Sequence, residues 1–158
     1  MISVLMVCLG NICKSRLAEI ILKSKLTKNK FVVYPARTSD FHNRNVPDKQ
    51  SISLAIKYGL DISNQKSRPF RIYYFKKFDQ IFAMNKSTHK NIIKYDQNDI
   101  KLKKISLILE YPVSKIKKVP NPYFGANYRF ENVYKLLEDA FDYHSQKLIK
   151  ASWKENFT

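Results

Sequence analysis

Ile2-Ser3-Val4-Leu5-Met6-Val7-Cys8-Leu9-Gly10-Asn11-Ile12-Cys13-Lys14-Ser15 decides the architecture of this chain. Its first six residues are a nearly unbroken apolar run, too short for a helix and rich in strand formers, which predicts a buried parallel strand. From Ser15 the pattern turns helical, with Leu17, Ala18, Ile20, Ile21 and Leu22 as its apolar positions. Ser15 is the expected N-cap, and Glu19 puts a negative charge in the first turns. Strand, tight glycine-containing loop and helix N-terminus together make an anion cradle. The backbone amides of Leu9, Gly10, Asn11, Ile12, Cys13, Lys14 and Ser15 are its donors, and the helix dipole adds partial positive charge. A cysteine at the strand end, facing such a cradle, has a depressed pKa, because the groups that hold an anion also stabilise a thiolate. Cys8 is therefore the candidate nucleophile, in an arrangement suited to attack on phosphorus through a covalent thiophosphate.

Outward from this stretch, the first helix ends near Leu26, Thr27 to Lys30 is a polar turn, and Phe31-Val32-Val33-Tyr34 reads as a second strand. Strand, helix, strand at this spacing is a βαβ unit, so the sheet is expected to be parallel. Pro35 to Asp48 reads as a loop. Pro47-Asp48 opens a helix carrying Ile52, Leu54, Ala55, Ile56 and Tyr58, stopped by Gly59. Ile72 to Lys77 is a short helical turn, Phe78 to Met84 a third strand, and Asn85 the N-cap of a helix continuing through Ser87 to Lys94. Lys103 to Leu109 carries a fourth strand. Phe130 to Leu148 is an amphipathic helix with Val133, Tyr134, Leu137 and Phe141 at core spacing. The tail from Ala151 is expected to fray, unless Trp153 docks. The expected fold is α/β: a four-stranded, mainly parallel sheet with helices on both faces and a phosphate-binding loop after strand 1. Residues 1–158 are expected to form one domain, without repeats or low-complexity linkers.

Composition narrows the class. At 44% hydrophobic residues the chain is not a disordered one. No apolar run approaches the ~20 residues of a membrane span, and Met1-Ile2-Ser3 lacks the basic start of a signal peptide. Two cysteines, Cys8 and Cys13, in one loop are no disulfide framework and fit a reducing cytoplasm. A net charge of +16 raises the possibility of nucleic acid, but the lysines are spread through every segment rather than gathered on one element. A basic surface also attracts phosphorylated acidic peptides. His42, His89 and His144 are too scattered for a metal set, and no cofactor is called for.

Val7-Cys8-Leu9-Gly10-Asn11-Ile12-Cys13, followed by a cation and Ser15, resembles the low-molecular-weight protein tyrosine phosphatases, whose pattern is V-C-L-G-N-I-C-R-S-P. The resemblance extends from Val4 to about His144 and departs at Lys14, where the family has its catalytic arginine, and at Arg16, where it usually has proline. It implies catalytic roles for Cys8, Lys14, Ser15 and Asn121, the last standing where V-x-D-P-Y-Y-G places the general-acid aspartate. It further implies that Asn11 fixes the loop and that Phe41, Tyr123 and Phe124 wall the slot for a phosphotyrosine ring. Phe41 could instead pack only its own loop. Pro35 falls where the family often has a serine near the loop, and Arg68 matches an arginine that would brace the site. Cys13 either packs quietly or, as in the family, pairs reversibly with Cys8.

The substrate implied is a phosphotyrosine-containing protein or a small aryl phosphate, with inorganic phosphate as product. Lysine keeps charge at position 14 but not the planar fork, and asparagine cannot transfer a proton, so attenuated chemistry is expected. A degenerate phosphatase that captures phospholigands without turnover is the alternative. Arsenate reductase shares the loop, but its chemistry uses cysteines downstream of the loop, and there is none after Cys13.

Overall fold

The computed structural model describes residues 1–8, 12–38, 53, 56–57, 59, 68–96, 98–111 and 127–155, the side chains of 12–16 and 127–130 excepted. Among the described residues five strands, β1 (Ile2–Cys8), β2 (Phe31–Arg37), β3 (Arg68–Pro69), β4 (Gln80–Ala83) and β5 (Ile105–Leu107), share one sheet. The helices whose bounds fall among the described residues are α1 (Ile12–Lys25), α2 (Tyr74–Lys77), α3 (Lys86–Ile93), α4 (Asp99–Leu102) and α5 (Asn127–Glu155). The strand order is β3-β2-β1-β4-β5, and every pair is parallel.

The expected parallel α/β sheet is present, with β1 at its centre. Val4 to Val7 are wholly buried because both faces of β1 are covered. Val4, Met6 and Cys8 pack with Leu17, Ile21 and Leu22 of α1 and with Val133, Leu137 and Phe141 of α5. Leu5 and Val7 face the opposite way, toward Phe70, Tyr74, Phe75, Phe78 and Ile92. This period of two splits one apolar run between two cores. Each fully buried Leu or Met contributes about 1.5–3 kcal/mol.

Several expected boundaries are corrected. The sheet has five strands rather than four, because Arg68–Pro69 adds an edge strand beside β2. Two residues carry no readable periodicity, and a proline is tolerated only at such an edge. The strand β2 runs on through Pro35 to Arg37, where a loop was expected. Pro35 fits because the Arg37 carbonyl accepts from the Phe70 amide and the Thr38 amide donates to Cys8. By alternation the missing N–H of Pro35 faces the outer side, below the point where β3 joins at Ala36. Ser15 is not the N-cap of α1, which starts at Ile12; nothing in Ile12-Cys13-Lys14 bars helical geometry. The last helix continues to Glu155 instead of fraying at Ala151, and Trp153 on it is 55% exposed.

Other expectations hold. Asn85 caps α3, its side chain accepting from the Thr88 amide at 2.9 Å. Ser53, Ile56 and Lys57 are helical, and Gly59 takes φ +75°, the left-handed conformation that ends a helix. The start of that helix at Pro47-Asp48 lies outside the described residues. Among the described residues no helix is long and apolar enough to cross a membrane.

Candidate active site

The carboxyl ends of the parallel strands converge around Cys8. In parallel α/β sheets ligands bind at that edge. Cys8 is the last residue of β1 and is 3% exposed. The helix α1 starts at Ile12, so only residues 9–11 separate strand end from helix start. That spacing holds the amide-rich first turn of α1 next to the strand end, as an anion cradle requires.

The strand end is pinned from both neighbours. Thr38 donates its amide to the Cys8 carbonyl at 2.9 Å, and its hydroxyl lies 3.5 Å from the same oxygen. On the other side Met84 donates its amide to the Val7 carbonyl at 3.0 Å. The Cys8 backbone is thus fixed before any ligand arrives, which is the geometric precondition for a positioned nucleophile.

Of the expected site residues, Cys8 stands at this edge. Ile12, Cys13, Lys14 and Ser15 lie in the opening turns of α1, with their side chains outside the described residues. Leu9, Gly10, Asn11, Phe41, Asn121, Tyr123 and Phe124 also lie outside them. Arg68 is placed on the far face of the sheet from the Cys8 side chain. Its guanidinium lies over the ring of Tyr34, 4.8 Å from the centroid, where it braces the β2 edge.

Arg37 was overlooked in reading the sequence. It is the last residue of β2, is 7% exposed, and pairs in register with Cys8. The signal was the alternation Phe31, Val33, Pro35, Arg37, which extends the strand through the proline.

Beside Thr38, a surface cavity of about 340 Å³ is lined also by Asn91, Lys94 and Tyr95. It offers a cation, an amide and an aromatic ring one strand away from Cys8. A larger cavity, about 560 Å³, lies between α1 and the start of β2, away from Cys8, and is lined mainly by apolar residues such as Ile20, Leu26, Phe31 and Val33.

A family model described as low molecular weight phosphotyrosine protein phosphatase matches residues 3–154. The chain belongs to the low-molecular-weight phosphotyrosine protein phosphatase family. The family's chicken member is 34% identical over 138 residues, covering 84% of this chain and 86% of its own. A protein tyrosine phosphatase from Entamoeba histolytica, solved with Hepes in its active site, superposes with a TM-score of 0.88 at 29% identity. That match covers 96% of this chain and 99% of the Entamoeba one. Wzb of Vibrio vulnificus, solved in complex with benzylphosphonate, gives a TM-score of 0.78 at 25% identity, with 92% and 98% covered.

Proposed function

We propose that this protein hydrolyses phosphotyrosine or related aryl phosphates through a cysteinyl-phosphate intermediate, with attenuated chemistry. The observation that carries this reading is the position of Cys8, buried at the end of the central strand and separated by only three residues from the start of α1.

The Cys8 thiolate attacks phosphorus in line with the aryl oxygen. The S–P bond forms as the P–O bond breaks, and the phenolate leaves with the bonding pair. Charge accumulates on the three equatorial oxygens, where the amides of residues 9–15 and the Lys14 ammonium stabilise it. Water then attacks phosphorus, the S–P bond breaks, and Ser15 stabilises the returning thiolate while phosphate leaves. Asn11 fixes the loop, and Phe41, Tyr123 and Phe124 flank the aryl ring.

Two residues set the attenuation. Lys14 carries charge without the bidentate fork of arginine, so phosphate is held less specifically. Asn121 gives no proton to the leaving oxygen, which removes an assistance worth roughly 10²–10⁴-fold. The enzyme works without a cofactor, in the reducing cytoplasm, where Cys8 stays reduced.

The same two substitutions favour a second reading, in which the chain binds phospholigands without turning them over. Steady-state assays on nitrophenyl phosphate and a phosphotyrosine peptide, beside Cys8→Ser, separate the two. Turnover on nitrophenyl phosphate that disappears in Cys8→Ser supports the enzyme. Phosphate binding without Cys8-dependent turnover supports the binding module.

A further inference from the structure

We propose that the outer edge of β2 and the second half of α1 form a binding groove for a medium-chain fatty acid. Its carboxylate sits at Lys28 and Lys23, and its hydrocarbon chain runs toward Ile20 and Tyr34. This site goes beyond the phosphatase reading and does not depend on Cys8.

The groove exists because the sheet edge is only partly covered. The strand β3 pairs with β2 at Ala36 and Arg37 alone. From Phe31 to Tyr34 no strand lies on that side of β2 among the described residues. The cavity of about 560 Å³ opens along this edge. Phe31 and Val33 belong to the core shared with α1, and Tyr34 packs on the opposite one, so the walls come from both faces of the strand. Ile20 of α1 and Leu26 just past its end close the other side. This volume and this mainly apolar lining are those of a small-molecule site. The Tyr34 wall is set in advance. Its ring is edge-on to Phe78 with centroids 5.9 Å apart, and the Arg68 guanidinium lies 4.8 Å from its centroid.

The groove is polar at one end only. In a βαβ unit the helix runs back against the strand direction, so the end of α1 and the start of β2 share one pole. Lys23 lies in the last turns of α1, and Lys28 is exposed in the turn that follows. Lys23 is paired with Glu19, whereas Lys28 forms no ion pair among the described residues. No carboxylate is among the described residues lining the groove. An apolar trough with cations at one end complements an apolar chain with one anionic head.

Length and hydrogen bonding select the occupant. Four strand residues span about 10–13 Å. An extended chain advances about 1.2 Å per bond, so roughly ten carbons fill the groove. A peptide strand fits this edge poorly. The Arg37 carbonyl turns outward to accept from the Phe70 amide, so residues 31, 33 and 35 also turn outward. Of their amides, that of Phe31 donates to the Thr27 carbonyl at 3.1 Å, and Pro35 has none. Val33 alone of the three is left to donate to an added strand, while a hydrocarbon chain needs no donor.

The test titrates the full-length, ¹⁵N-labelled protein with hexanoate, octanoate and decanoate below their micelle concentrations. Decanol, decylammonium and phosphatidylglycerol vesicles run alongside. The amides of Leu26, Lys28 and Phe31 to Tyr34 should move first and saturate. Affinity should rise about four-fold per methylene, the worth of one buried CH₂. Decanoate should bind more tightly than decylammonium. Lys28→Glu, on an exposed turn, should weaken decanoate by roughly three- to ten-fold and leave decanol unchanged. Shifts centred on residues 9–15 would place the carboxylate in the anion cradle and overturn the groove. Affinity independent of chain length, or of Lys28→Glu, overturns it as well. Binding to vesicles without a saturable response to decanoate would assign this face to a membrane surface and overturn the fatty-acid site.

Discussion

Thr38 donates its backbone amide to the carbonyl of Cys8 at 2.9 Å, closing the last rung between the two central strands. The candidate nucleophile is therefore held by the sheet itself rather than by the loop that follows. With the start of α1 alongside, Cys8 is expected to titrate below an ordinary thiol. Anionic iodoacetate should alkylate Cys8 faster than Cys13 at neutral pH, and inorganic phosphate should slow that reaction. Mass spectrometry of labelled peptides reads both rates, and equal, phosphate-insensitive labelling would count against the site.

A second expectation concerns pH and stability. His144 is 5% exposed, with Nε2 2.7 Å from the Ile108 carbonyl, to which it donates. Burial pushes its pKa below the usual histidine value, the Ile108 bond opposes this, and Lys147 adds to the lowering. The unfolded chain thus takes up a proton near pH 6.5 while the folded one stays neutral to lower pH. Stability should fall as pH drops below about 6.5 and level off, for this group, once the folded imidazole is also protonated. The slope reaches at most about 1.4 kcal/mol per pH unit. His144→Gln should lose this part of the slope in urea melts at pH 7.5, 6.0 and 5.0. An unchanged slope would show that another group is responsible.

Core energetics give a third expectation. Phe141 is wholly buried, its ring edge-on to Phe82 with centroids 5.8 Å apart. Phe141→Ala should cost about 3–5 kcal/mol. Trp153, on the same helix and 55% exposed, should tolerate alanine within about 0.5 kcal/mol. Chemical denaturation of both variants checks the contrast, which reverses if the exposed end of α5 carries the stability.

Much of the sheet was legible because burial on both faces leaves an unmistakable trace. The run Ile2–Val7 needed apolar residues at every position, and it lies at the centre. Asn85 was readable because an N-cap is a local bond, here to Thr88. Arg68–Pro69 was not, since a two-residue edge strand is defined by its neighbour's hydrogen bonds and not by its own pattern. Pro35 hid the end of β2 for a related reason: its tolerance depends on which side of the strand lacks a partner. Cys8 was legible from loop chemistry. Arg37 became visible only through its register with Cys8, a contact between residues that are far apart in sequence.

The attenuated-enzyme account stands or falls on the proton that Asn121 cannot give. The deciding measurement is the dependence of phosphoryl-transfer rate on leaving-group pKa, for the wild type and for Asn121→Asp. In the wild type the rate should fall steeply as the leaving group becomes more basic. Phosphotyrosine should lag nitrophenyl phosphate by a margin drawn from the roughly 10²–10⁴-fold worth of a general acid. Asn121→Asp should flatten the dependence, chiefly by raising the rate on phosphotyrosine, whereas Lys14→Arg should raise both rates together. A wild type that already hydrolyses phosphotyrosine efficiently, and an Asn121→Asp variant no faster on it, would contradict the account.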